Sequence, residues 1–176
     1  MALLVALPFS AQKESPEIPV AHAAVPLHLP AAGTAVPMRL SIPSINLNDQ
    51  VVPVGVNALG QMDVPPGNTK EVGWYAGGTA PGDIGSAVLD AHVFAAFANL
   101  SKLKAGDDLY IETTAGATQH FKVTATHTYP LADVSADALF NGTGARELNL
   151  ITCAGTYLPA QGTYDHRLIV YATLAN

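Results

Sequence analysis

The chain is short of several things at once, and each shortage excludes something. It has a single cysteine, so no intrachain disulfide can close and no thiolate zinc cluster can form. Charge is scarce: Asp, Glu, Lys and Arg make up 12% of the residues, about half the usual share. Eight Lys+Arg against fourteen Asp+Glu leave a net charge of −6. Nucleic-acid affinity rests on Lys and Arg neutralising phosphates, so a nucleic-acid partner is not expected. A polybasic membrane-surface binder is disfavoured for the same reason. No uninterrupted apolar run approaches the ~20 residues of a membrane-crossing helix. The stretch Met1 to Phe9 is apolar but broken by Pro8, and no Lys or Arg precedes it. It reads either as the end of a signal or membrane anchor that begins upstream, or as a terminus with incidental hydrophobes.

What is present points to a β protein behind a linker. Six prolines stand at positions 8, 16, 19, 26, 30 and 37. They fix φ and remove backbone donors, so neither helix nor sheet can run through residues 8–37. Residues 1–37 are therefore expected to be an apolar segment and a semi-rigid linker, and residues 38–176 the folded domain. With 176 residues and 49% hydrophobic content, one packed core is the natural outcome. Short β-rich runs follow one another: Met38–Ile42, Val51–Val56, Ser86–Val93, Asp108–Thr113, His120–Thr128, Leu148–Cys153 and Arg167–Leu174. Gly, Pro, Asn and Asp punctuate them. Residues 94–103 and 133–140 read as short helical or irregular pieces. The expectation is an all-β fold, a barrel or sandwich of about eight strands with short helices.

The one cysteine sits where an apolar strand meets small residues, Leu148-Asn149-Leu150-Ile151-Thr152-Cys153-Ala154-Gly155. A catalytic thiol must be held still and yet be reachable, and this placement offers both. After a connection of 13 residues Arg167 opens the next strand. If the two strands pair antiparallel, Cys153 and Arg167 become neighbours. His92 stands near the end of the Ser86–Val93 strand. Three such side chains on one rim would make a cysteine-based acyl-transfer site. Plainer readings stand beside this one. A lone Cys is usually a buried small hydrophobe; His22, His28, His120, His127 and His166 compete with His92; and Arg167 can pair with Asp165.

The motifs Leu150-Ile151-Thr152-Cys153, Arg167-Leu168-Ile169-Val170-Tyr171 and His92-Val93, with the opening Arg39-Leu40-Ser41-Ile42-Pro43-Ser44-Ile45, resemble those of the sortases, cysteine transpeptidases of the cell surface. The similarity covers roughly residues 38–176. Val72-Gly73-Trp74-Tyr75, Pro81-Gly82 and Gly85-Ser86-Ala87-Val88 look most like the class E and F branches. Ala91 and Phe94 stand where that family usually has Gly and often Asp, and Asn149 where it often has Thr.

The resemblance implies a sortase-like β-barrel with His92, Cys153 and Arg167 as the catalytic residues and Thr152 as a further substrate-binding candidate. Cys153 would cleave a Leu-Pro-x-Thr-Gly-like sorting signal after the Thr through a thioester. The acyl group would pass to an amine of a peptidoglycan cross-bridge or a pilin Lys. The segment Thr128 to Arg146 is the implied wall for the Leu-Pro part of the signal. It further implies a chain acting outside the cytoplasm at the cell surface, tethered through its N-terminal segment. No metal or other cofactor is expected. Two readings stay open beside it: a cysteine peptidase using water as the acceptor, and a non-catalytic surface barrel that binds peptide.

Overall fold

A computed structural model describes residues 35–175 apart from positions 59 and 141. The expected N-terminal apolar segment and most of the expected linker lie outside the described residues. Among the described residues eight strands are present: β1 Pro37–Ile42, β2 Leu47–Val54, β3 Val72–Tyr75, β4 Gly85–Asp90, β5 Asp108–Thr113, β6 Thr118–Pro130, β7 Arg146–Leu158 and β8 Thr163–Leu174. They close into a barrel in the order β1-β2-β3-β4-β7-β8-β6-β5, with β5 returning to β1. The all-β barrel expected from the sequence is the observed fold. One short helix, α1 (Ala136–Phe140), and three single 3₁₀ turns complete it. Among the described residues no helix is long and apolar enough to cross a membrane.

Local chemistry explains the turns. Between β1 and β2, Pro43 starts a 3₁₀ turn and Asn46 takes a left-handed φ of 54°, which Asn tolerates better than most residues. The β5–β6 hairpin turns at Gly116, whose φ of 78° suits a residue without Cβ. Two pairings are parallel, β2 with β3 and β4 with β7, so each needs a crossover connection.

Alternation along the strands sorts residues into two apolar groups. Inside the barrel lie Leu40, Ile42, Trp74, Ala87, Leu89, Ile111, Phe121, Leu148, Leu150, Leu168 and Val170 among others. An eight-stranded barrel has just enough interior to be filled by side chains. Here Trp74, Phe97 and Phe121 are fully buried within it, each contributing on the order of 1.5–3 kcal/mol. A substrate cannot enter such a core. The second group, Val88, Leu139 and Ile169 with Ile151, Tyr171, Tyr129, Val134, Phe140 and Met62 packed on them, lies outside the barrel wall. That outer face of β4, β7 and β8 is where a site can exist.

Several elements differ from their sequence expectation. β3 was not read as a strand, since it has only four residues and one of them is Gly73. β4 ends at Asp90, so His92 lies two residues beyond the strand that was expected to contain it. β7 does not stop at Cys153 but runs on to Leu158. Its pairing with β8 slips between Ala154 and Tyr157, and Gly155 takes a φ of 80° there. A bulge, rather than a strand end, follows the cysteine. A Cβ at Gly155 would collide with the Asp165 carboxylate, so glycine is what lets the bulge close.

Candidate active site

β7 and β8 form the longest ladder of the barrel, and Cys153 and Arg167 are direct partners in it. Cys153 is a free thiol and half-buried. Its side chain shares the outer face with Ile151, because Thr152 between them points into the core. The reading of Cys153 as a sealed core hydrophobe therefore does not describe this structure.

His92 reaches the same end of the sheet from β4. The parallel β4–β7 register ends with Asp90 opposite Ile151. Two residues on from each stand His92 and Cys153. Thr152 extends the tie past the ladder: its hydroxyl donates to the Ala91 carbonyl oxygen at 2.7 Å, wholly buried. The structure thus uses the Thr152 hydroxyl, expected to bind substrate, to hold the backbone just before His92 against the backbone just before Cys153. The imidazole stacks on Phe94, with ring centroids 4.8 Å apart and 16° between planes. Gly67 lies against both stacked rings, where a Cβ would come within 3.3 Å of the Phe94 ring and 3.5 Å of His92 Nε2. The three sequence departures also acquire positions. The Ala91 methyl packs into the barrel core, Phe94 is the platform under His92, and Asn149 donates from Nδ2 to the Leu139 carbonyl oxygen at 2.8 Å, anchoring α1.

Arg167 is held by its own hairpin. Nη1 donates to the carbonyl oxygens of Tyr164 (3.1 Å) and His166 (2.9 Å), and Nη2 to Thr163 Oγ1 (2.9 Å). Two of its five N–H groups take no part in these bonds. The alternative ion pair with Asp165 is absent. Asp165 Oδ1 instead accepts from His166 Nδ1 and the Thr156 amide, both at 2.7 Å. Those two bonds hold its carboxyl below the usual carboxylate range, the His166 bond more than the Thr156 one. Of the competing histidines, His166 is engaged there and His120 bonds Asp108 Oδ1 at 2.7 Å. His127 lies against Tyr129 and Tyr171. His22 and His28 fall outside the described residues. Among the described residues, no group of three or more His, Cys, Asp or Glu could hold a metal ion.

One residue of this face was not singled out from the sequence. Asp90 stands on the outer face of β4, beside Ile151 and opposite Gly73. Its Oδ1 is sealed from solvent and has no hydrogen-bond partner, although the residue as a whole is half-buried. Burial first, and the nearby Asp63 charge second, push its carboxyl up to about 8, against a smaller opposing effect of its own amide. The available signal was a lone Asp in the apolar run Ser86–Val93.

Set beside known proteins, this fold has clear counterparts. A family model for the sortase domain matches residues 40–175. Sortase A from Corynebacterium diphtheriae superimposes with a TM-score of 0.61 at 23% identity, covering 80% of this chain and 61% of that one. Sortase C1 of Streptococcus agalactiae, in complex with MTSET, gives 0.61 at 25% identity, covering 80% and 69%. A sortase D5 transpeptidase of Clostridium perfringens gives 0.60 at 18% identity, covering 80% and 79%. The chain thus spans less than two thirds of the length of the Corynebacterium protein. No curated protein matches it. The matched domain model covers nearly the whole barrel, strands β4, β7 and β8 included, and the chain belongs to the sortase family.

Proposed function

We propose that this chain is a sortase-type cysteine transpeptidase with His92, Cys153 and Arg167 as its catalytic residues. The observation that carries the reading is the direct β7–β8 pairing of Cys153 with Arg167 on the outer face of the barrel. The buried Thr152–Ala91 bond brings His92 to the same end of the sheet.

The chemistry follows from the residue types. The Cys153 thiolate attacks the carbonyl carbon of a peptide bond, and the electron pair of the C=O moves onto oxygen. The free N–H groups of Arg167 donate to that oxyanion, a task that suits a guanidinium because it stays protonated. Collapse expels the amine, which takes a proton from the His92 imidazolium and leaves a thioester on Cys153. Neutral His92 then accepts a proton from the incoming amine as it attacks the thioester, which restores thiolate and imidazolium. The substrate is a Leu-Pro-x-Thr-Gly-like sorting signal of a secreted surface protein. The acceptor is an amine of the cell wall or of a pilin. The apolar face around Val88, Leu139 and Ile169 suits the Leu-Pro part, with Val134, Leu139 and Phe140 supplied by the expected wall segment. Location at the cell surface, tethering through the N-terminal segment and a class E or F character belong to the same proposal. The class rests on Val72-Gly73-Trp74-Tyr75 and its neighbours; the solved relatives named above are of classes A, C and D.

The test is incubation with Leu-Pro-x-Thr-Gly-like peptides, with and without candidate amines, read by mass spectrometry. An amide-linked product carrying the amine is expected. Free acid alone in the presence of every amine would favour the peptidase reading. No cleavage, with an unreactive native thiol, would favour the non-catalytic barrel.

A further inference from the structure

A recess of about 160 Å³ opens on the sheet well away from Cys153, with Ser86, Thr124, Thr143, Glu147, Asn149 and Thr173 in its lining. Its central rung is Glu147, paired with Ser86 on β4 and Thr173 on β8. Glu147 and Cys153 stand at opposite ends of a stretch of β7 that spans about 20 Å. Over the rung between them lies α1, where Leu139 packs on Val88 and its carbonyl oxygen takes the Asn149 bond. A molecule held in this recess is therefore not the amine that would attack a thioester on Cys153.

The hydrogen bonds of the lining spend its donors and leave its acceptors. Ser86 Oγ donates to Glu147 Oε2 and Thr143 Oγ1 to Glu147 Oε1, both at 2.7 Å. Thr124 Oγ1 donates to the Tyr171 carbonyl oxygen at 3.1 Å, and Asn149 Nδ2 to that of Leu139 at 2.8 Å. A carbonyl oxygen can only accept, so the Asn149 amide turns its nitrogen to Leu139 and keeps Oδ1 free. A hydroxyl that has donated its one proton still carries two lone pairs. Burial alone would raise the Glu147 carboxyl, but the bonds from Ser86 and Thr143 outweigh it and hold the group below the usual carboxylate range. It is thus charged at neutral pH. No Lys or Arg lines the recess. Lys122, across from Thr173 on β6, donates to Asp108 at 2.6 Å instead, and Arg146 donates to the Gly82 carbonyl oxygen. Among the described residues Glu147 has no ion-pair partner.

An acceptor-rich recess with one negative charge calls for a ligand that brings donors and one positive charge. A primary ammonium does so, with three N–H groups on a compact cation. A guanidinium fork matches a carboxylate with two open oxygens, and here both oxygens already accept. A calcium ion takes six or more oxygen ligands, carboxylates prominent among them, and this lining offers one carboxylate. We propose that the recess binds a primary alkylammonium, the end of a lysine side chain or a free alkylamine, with Glu147 as its counter-ion. The site goes beyond the transpeptidase reading and does not rest on it.

The experiment titrates the isotope-labelled full chain with three probes at matched ionic strength and follows backbone amide shifts by NMR. The probes are Nα-acetyl-lysine amide, n-butylammonium and, as the uncharged counterpart, Nα-acetyl-norleucine amide. Saturable shifts are expected at Thr143, Glu147, Asn149 and Thr173 with both ammonium probes and not with the norleucine one. Tighter binding of the lysine probe would support the site with a polypeptide as its source, and equal binding would support it with a free amine. Glu147→Gln keeps the shape and removes the charge, so it should weaken both by at least about tenfold. Thr143→Val, at an exposed position, should weaken them too and serves where the Glu147 variant does not fold. Unchanged affinity in either folded variant would overturn the assignment. So would equal shifts with the norleucine probe, or ammonium shifts centred on Cys153 and Arg167. Calcium chloride saturating the same residues at lower concentration than the amines would overturn it in favour of a metal.

Discussion

Arg167 grips its own hairpin with three N–H groups, which fixes where the remaining two point. That geometry depends on the planar fork and not on charge alone, so lysine cannot reproduce it. Arg167→Lys and Arg167→Ala should each lower kcat/KM by about 10²–10³, the loss associated with one oxyanion donor. A surface ion pair would contribute about 0–1 kcal/mol and leave turnover alone. A folded lysine variant within a few-fold of wild type would therefore reject the assignment. Asp90 gives a second residue-scale prediction. Its carboxyl is raised from 3.8 to about 8 in the folded chain. Between those values the native state holds a proton that the unfolded chain has lost. The stability Asp90 confers is thus fully present below about pH 4 and is lost as pH rises toward 8. The slope is at most about 1.4 kcal/mol per pH unit. Urea unfolding at pH 5 and pH 7.5 should show wild type losing stability relative to Asp90→Asn. Parallel behaviour of the two proteins would contradict the raised value.

At the scale of elements, the site is a junction of three strands joined by one buried hydroxyl. Thr152→Val removes the bond to the Ala91 carbonyl oxygen and keeps the shape. It should cost about 1–3 kcal/mol, as expected when a buried acceptor is left unpaired. Turnover should fall more than peptide binding, because His92 follows Ala91, and Thr152→Ser should restore both. Equal loss in Val and Ser variants would show that packing, and not the hydroxyl, matters. This role could not be read from the sequence, where Thr152 is only the residue before a cysteine. Strand limits were legible where turn chemistry is unambiguous: β5 was read at its observed bounds, between Asp107 and the Gly116 turn. They were not legible where a glycine lies inside an element. Gly73 hid β3, and Gly155 looked like a stop although β7 absorbs it as a bulge. The pairing of Cys153 with Arg167 needed only the guess of an antiparallel hairpin. Placing His92 beside them needed the parallel β4–β7 crossover, which no local pattern encodes.

At the scale of the whole molecule, the described residues form a closed barrel whose interior is full, so the proposed chemistry falls on the outer face of β4, β7 and β8. The sequence supported the all-β class through short apolar runs between turn residues, and the resemblance of scattered motifs named the family. Composition could not show the second apolar cluster outside the wall, nor the carboxyl buried beside it. Both arise from register between strands far apart in the chain. The proposed transpeptidase reading requires Cys153 to be a nucleophile on that face. It is tested most directly by treating the native protein with a Leu-Pro-x-Thr-Gly-like peptide and mapping any adduct by mass spectrometry. An acyl group is expected on Cys153, released by hydroxylamine and absent from a folded Cys153→Ala variant that no longer transfers it. Full acyl transfer by Cys153→Ala, or an unmodified Cys153 during turnover, would contradict it.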